Sequence, residues 1–258
     1  MDVAVTGPLT GRVVLVTGGG DGLGRGLCLS AAAHGATVVV AAPGDNAATT
    51  VAQIVERGGI ASWQRCDVTN REQIAACIAA TVSAYGGLHA VVHNATSRHS
   101  SRPTRLEDVT SEEWDDHVAV SLRGAYLLAH HAFAHLRASR GRLVLMTSPA
   151  GMEGSTTLPA YGAVKGALRG FAKSLALEWG PHQISVACVS PLATGPALTR
   201  AYEQNPELEA RLTNHVPVGR VGDPERDIGP VVSFLIGPDA GYLTGQTLVV
   251  DGGRFTTL

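Results

Sequence analysis

Short apolar runs of strand length alternate along this chain with longer segments of helical period. Arg12–Thr17 reads RVVLVT, Thr37–Ala42 TVVVAA, Leu88–His93 LHAVVH and Arg142–Thr147 RLVLMT. A run that is apolar on both faces cannot leave one face in water, so each belongs to a sheet covered above and below. Ile60–Arg65, Ile184–Val189 and Thr247–Val250 complete the set of strands. Helical segments lie between them: Gly22–His34, Asp45–Arg57, one opening at Thr69, Thr110–Ala138, Ala160–Trp179 and Pro224–Ile236. Thr69-Asn70-Arg71-Glu72 and Thr110-Ser111-Glu112-Glu113 have the spacing of capping boxes. Strand–helix alternation of this kind predicts a doubly wound α/β fold with seven mostly parallel strands and helices on both faces. Its ligand crevice lies at the carboxyl ends of the strands.

The length of 258 residues suits one domain, 1–258, with an N-terminal arm at 1–10 and a substrate lid at 193–215. A hydrophobic content of 45% argues against disorder. The net charge of −2 comes without any run of Lys or Arg, which argues against nucleic acid and acidic membrane surfaces as partners. No stretch reaches the ~18 apolar residues of a membrane span, and Met1–Thr10 lacks the pattern of a secretory signal. Cys28, Cys66, Cys77 and Cys188 are widely spaced, with no pairing that suggests zinc. Reduced thiols in a cytoplasmic protein are the expectation.

Thr17-Gly18-Gly19-Gly20-Asp21-Gly22-Leu23-Gly24 joins the first strand to the first helix. Glycines there allow a tight turn, and they let backbone N–H groups approach a pyrophosphate at the helix N-terminus. After the first strand of a βαβ unit, the turn predicts a Rossmann-type dinucleotide site. The second strand ends Ala41-Ala42-Pro43-Gly44-Asp45, with neither the acid that favours NAD nor the arginine that favours NADP. Asp21 would repel a ribose 2′-phosphate, so NAD(H) is favoured over NADP(H). Asp45 reads as a helix N-cap. Asp67, after the third strand, either accepts from the adenine amino group or shapes a turn.

Tyr161 and Lys165 lie four apart, on one face of a helix. A free phenol has a pKa near ~10, and a neighbouring ammonium lowers it toward usefulness as a base. Ser148 closes the fifth strand, where its hydroxyl could hold a substrate oxygen near that phenol. Leu198, Tyr202 and Leu208 either offer an apolar face to substrate or pack the lid onto the domain. Met152, Glu153 and Leu158 are further pocket candidates. His93, His99, His130, His131 and His135 invite a metal reading, but His131 and His135, four apart on the long helix, lack a matching acid and read as surface or interface histidines. Arg98, His99, Arg102 and Arg105 read as a solvated loop, the other reading being a site for an anionic substrate tail.

These motifs together resemble the short-chain dehydrogenase/reductase family over Gly11–Gly253. The likeness rests on Thr17–Gly24, Asp67-Val68, Asn94-Ala95, Ser148, Tyr161-Gly162-Ala163-Val164-Lys165, Pro191, Tyr242–Gln246 and Val250–Gly253. It implies an enzyme that moves a hydride between a nicotinamide cofactor and an alcohol or ketone. Tyr161 would be the general acid/base, Lys165 would lower its pKa and bind the nicotinamide ribose, and Ser148 would orient the substrate oxygen. Gly18, Gly20, Asp21, Gly22, Leu23, Gly24, Asp67, Val68, Asn94, Ala95, Pro191 and Thr194 would surround the cofactor, with Thr199 the alternative to Thr194. A homotetramer or dimer is implied through Thr110–Ala138 and Ala160–Trp179. Three positions depart from the family. Ser121 stands where an Asn holds a relay water, Thr96 follows Asn94-Ala95 in place of Gly, and Leu192 follows Pro191 in place of Gly. A dinucleotide-binding protein without turnover, acting as a sensor or partner, is the competing reading that those departures support.

Overall fold

The structure is a computed structural model, and it describes residues 5–100 and 102–256. Seven strands form one sheet: β1 (Val13–Thr17), β2 (Thr37–Ala42), β3 (Ile60–Arg65), β4 (Ala90–His93), β5 (Arg142–Met146), β6 (Ser185–Pro191) and β7 (Thr247–Val250). Their order is β3-β2-β1-β4-β5-β6-β7, and every pairing is parallel. The chain builds outward from β1 to β3, then crosses back to β4. That reversal splits the carboxyl ends of β1 and β4 and opens the crevice there.

Alternation along β1 divides the core. Val14 and Val16 face α1 (Gly22–Ala33), α2 (Asn46–Glu56) and α9 (Gly229–Ile236) through Leu27, Ile54 and Val232. Leu15 faces α3 (Arg71–Tyr85), α5 (Gly124–Ser139) and α6 (Pro159–Trp179) through Ile74, Leu128 and Leu168. Between α3 and α5 lies α4 (Ser111–His117), and α7 (Pro196–Gln204) and α8 (Pro206–Thr213) lie between β6 and α9.

The capping box at Thr110 forms: its hydroxyl accepts from Glu113 N at 3.2 Å, and the Glu113 carboxylate accepts from Thr110 N at 3.4 Å. The one expected at Thr69 does not. Asn70 caps α3 instead, accepting from Gln73 N at 2.9 Å, while the Thr69 hydroxyl donates to Asp67. The expected single helix Thr110–Ala138 is broken by a π turn, Val118–Arg123, between α4 and α5. Such turns bulge a helix, often where function needs it. A second π turn, Pro224–Ile228, precedes α9. Asp45 makes no side-chain cap on α2. Its carboxylate pairs with Arg65 at 2.5 Å.

Candidate active site

The turn after β1 is shaped by close backbone approach. Gly18 and Gly22 adopt φ of 65° and 49°, the left-handed region where a side chain is strained. A Cβ on Gly24 would lie 2.1 Å from the Gly18 carbonyl oxygen. At Gly18, Gly22 and Gly24 the crevice wall at the N-terminus of α1 is bare backbone, a cradle of the shape a pyrophosphate needs. Asp21 caps α1, its Oδ1 accepting from Gly22 N at 2.7 Å, with Arg25 at 3.7 Å.

Across the switch point, Thr17 ties β1 to β4. Its hydroxyl accepts from Asn94 N at 3.1 Å and Ala95 N at 3.2 Å, and the Asn94 amide donates to the carbonyls of Thr17 and Gly18. With those two N–H donors on its lone pairs, the Thr17 hydroxyl has its own proton for His93 Nδ1, 3.0 Å away. His93 Nε2 must then carry the other proton and donates to the Ser121 carbonyl at 2.9 Å. Burial, with Lys165 nearby, holds His93 down to about 4, so the ring is neutral. His93, the last residue of β4, is 1% exposed. A polar residue ending a strand that is apolar on both faces was the signal that it has buried partners.

One crevice of about 840 Å³ runs from Pro43, Asp67 and Val68 past the glycine turn to Ser148 and Tyr161. Gly18, Asp21, Gly22, Leu23, Gly24, Asn94, Ala95, Lys165, Pro191 and Thr194 lie on its wall; Gly20 and Ser121 do not. Gly20 sits against Asn46. Ser121 is on the π turn, wholly buried, with its hydroxyl unpartnered. Asp67 uses Oδ1 for Thr69, whose N–H donates at 2.9 Å, and its carboxylate still faces the crevice. Thr194 is anchored to the Gly222 carbonyl at 2.8 Å, and Thr199 is off the wall.

Tyr161 and Lys165 share one face of α6, as the spacing predicts. The Lys165 Nζ donates to the Met146 carbonyl at 2.7 Å and sits 5.5 Å from the Tyr161 ring centroid. Burial pushes Tyr161 above the ordinary phenol value, against a hydrogen bond from Ser148, and pushes Lys165 down to about 8. Desolvation outweighs the help of Ser148 in this arrangement, so the phenol keeps its proton.

The basic stretch after β4 is paired, not free. Arg98 meets Glu112 at 2.8 Å, Arg102 meets Glu113 at 2.8 Å and Arg105 lies 3.7 Å from Glu107. Ser97 adds a 2.6 Å bond to Asp116, so the loop is clasped onto α4. Of the lid residues, Leu198 reaches the crevice wall and Tyr202 does not; the side chain of Leu208 lies outside the described residues. Met152 and Glu153 are off the wall, and Leu158 lines a smaller void beside Tyr161.

Residues 18–254 match the family described as enoyl-(acyl carrier protein) reductase. The chain is 34% identical to the hydroxynaphthalene reductase-like protein Arp2 of Metarhizium robertsii, over 96% of each. The chain belongs to the short-chain dehydrogenase/reductase family. It is also 32% identical to the 2,5-dichloro-2,5-cyclohexadiene-1,4-diol dehydrogenase of Sphingobium indicum, over 97% of this chain and 99% of the relative. A short-chain type dehydrogenase/reductase structure from Mycobacterium ulcerans superposes with a TM-score of 0.88 at 29% identity, over 95% of this chain and 90% of the other. Membership in the family implies an NAD(P) cofactor and a small-molecule substrate. Among the described residues no helix is long and apolar enough to cross a membrane.

Proposed function

We propose that this chain is an NAD(H)-dependent oxidoreductase that interconverts a ring-borne secondary alcohol and its ketone, with Tyr161 as general acid/base. The observation that carries the reading is the placing of Ser148, Tyr161 and Lys165 on the wall of the same crevice as the glycine turn. The relatives' names, a hydroxynaphthalene reductase-like protein and a cyclohexadiene-diol dehydrogenase, support hydroxylated rings as the substrate class.

The backbone of Gly18–Gly24 would hold the pyrophosphate, Asp67 and Val68 the adenine, and Asn94, Ala95, Pro191 and Thr194 the nicotinamide half. The bound nicotinamide supplies or takes the hydride. Lys165 still holds its proton at neutral pH and donates to the ribose. Ser148 holds the substrate oxygen by donating to it. In reduction, the protonated Tyr161 gives its proton to that oxygen as negative charge develops there. In oxidation, the Tyr161 phenolate takes the proton back, and the Lys165 ammonium, 5.5 Å from the ring centroid, stabilises that phenolate.

NAD(H) is favoured over NADP(H) by Asp21, a carboxylate on the crevice wall that would repel a ribose 2′-phosphate, and by the end of β2, where Ala42 offers no cation. The segment 193–215 acts as a lid, with Leu198 toward substrate, over a single catalytic domain. Four free buried thiols suit a reducing, cytoplasmic setting.

The test is oxidation of a panel of bicyclic secondary alcohols, beginning with 1-tetralol, with NAD⁺. NADH should appear, and Tyr161→Phe should lower the rate by about 10²–10⁴. Cofactor binding with no turnover across the panel favours the non-catalytic reading that Ser121, Thr96 and Leu192 support. Turnover unchanged in Tyr161→Phe refutes the assignment of the acid/base.

A further inference from the structure

A void of about 10 Å³ adjoins Tyr161, lined by His99, Arg102, Glu113, His117 and Leu158 among others. That is about the space one water needs, if two or more polar groups hold it. One such group is at hand. His117 is 5% exposed, and its Nδ1 is buried with no hydrogen-bond partner among the described residues. Its ring centroid lies 6.1 Å from that of Tyr161. Glu113, 8% exposed, also lines the void. It holds Arg102 at 2.8 Å and His99 at 3.5 Å, the side that leads to solvent.

The charged groups around His117 come from three elements. Asp116 and Glu113 on its own helix favour the imidazolium; His99 from the loop after β4 and Lys165 on α6 oppose it, beside the neutral Tyr161 of α6. Burial outweighs them and holds His117 below the ordinary imidazole value, so at neutral pH the ring is an acceptor.

We propose that His117, through one water in this void, carries the Tyr161 proton to and from solvent. In oxidation of an alcohol, the substrate proton passes to the Tyr161 phenolate. The phenol O–H then gives its proton to the water, which gives one of its own to His117 Nδ1. The imidazolium passes a proton to the Glu113 carboxylate at the void wall, and from there it reaches solvent. Reduction runs the same transfers inward. No other oxidant or reductant enters these steps. The proposal rests on Tyr161 being the acid/base.

A crystal structure of the NADH complex, at a resolution that shows waters, tests it without any substrate. A water bonded to His117 Nδ1 and to Tyr161 Oη is expected. A dry void, or a Tyr161 hydroxyl that this water cannot reach, overturns the proposal. The kinetic arm uses 1-tetralol and NAD⁺. His117→Phe, which keeps the packing, should lower kcat at least fivefold with KM unchanged, and imidazole added to His117→Ala should restore turnover. Unchanged kcat in His117→Phe, or no rescue by imidazole, refutes the relay. Loss of activity in Tyr161→Phe alone would then leave the enzyme reading standing. If wild type leaves 1-tetralol untouched, that choice of substrate fails and the structure alone decides the relay.

Discussion

His93 links the charge state of one buried ring to the stability of the whole site. A free imidazole ionises at 6.5, and folded His93 only near about 4. Between those values the unfolded chain binds a proton that the folded chain refuses. The stability His93 contributes is thus intact above about pH 6.5 and is lost as pH falls through about 4, by about 3 kcal/mol in all. Urea denaturation followed across that window should show this loss in wild type and a shallower one in His93→Gln; equal slopes would contradict the assignment. Asp21 makes a different claim at the same scale. Asp21→Asn should narrow the preference for NADH over NADPH, measured by titrating each dinucleotide into the protein. The residues whose places depend on chain neighbours were legible beforehand: Gly18, Gly22 and Gly24 on the crevice wall, and Tyr161 with Lys165 on one helix face. The His93 partners were not. Thr17 is 76 residues away and the Ser121 acceptor is a backbone carbonyl, so no side-chain pattern announces either. The acceptor of the Lys165 ammonium, the Met146 carbonyl, was hidden for the same reason.

The elements that matter most are the glycine turn and the helix carrying His117 and Ser121. The contact between Gly24 and Gly18 leaves no room for a methyl group, and overpacking of this kind costs about 1–3 kcal/mol. Gly24→Ala should weaken NADH binding by about tenfold or more, read by nicotinamide fluorescence; unchanged affinity would mean the turn does not meet the pyrophosphate. Thr110→Ala removes one half of a formed capping box and should cost about 1 kcal/mol in thermal denaturation. Strand limits were legible to within two residues, because β-branched runs bounded by turns admit few alternatives. The π turn at Val118–Arg123 was not, since six residues are too few for their apolar spacing to tell a π turn from an α turn.

At the scale of the molecule, the order β3-β2-β1-β4-β5-β6-β7 brings the turns after β1 and β4, and residues of β5, β6 and α6, to one crevice. The fold was predictable as a whole, since buried parallel strands impose their topology through alternation with helices. Trp114, Tyr126, Leu177 and Phe234 remain exposed at 42%, 48%, 83% and 48%. Apolar surface on α4, α5, α6 and α9 fits the proposed assembly of four chains or two. Light scattering at micromolar concentration should report a tetramer or dimer, and a monomer would remove that proposal. The account stands first on a nicotinamide dinucleotide occupying the crevice. The direct test is titration of the folded protein with NADH and, separately, NADPH, following nicotinamide fluorescence. The account predicts saturable NADH binding, with NADPH weaker by about tenfold, as like charge at Asp21 requires. Binding of neither dinucleotide by protein shown to be folded would contradict it.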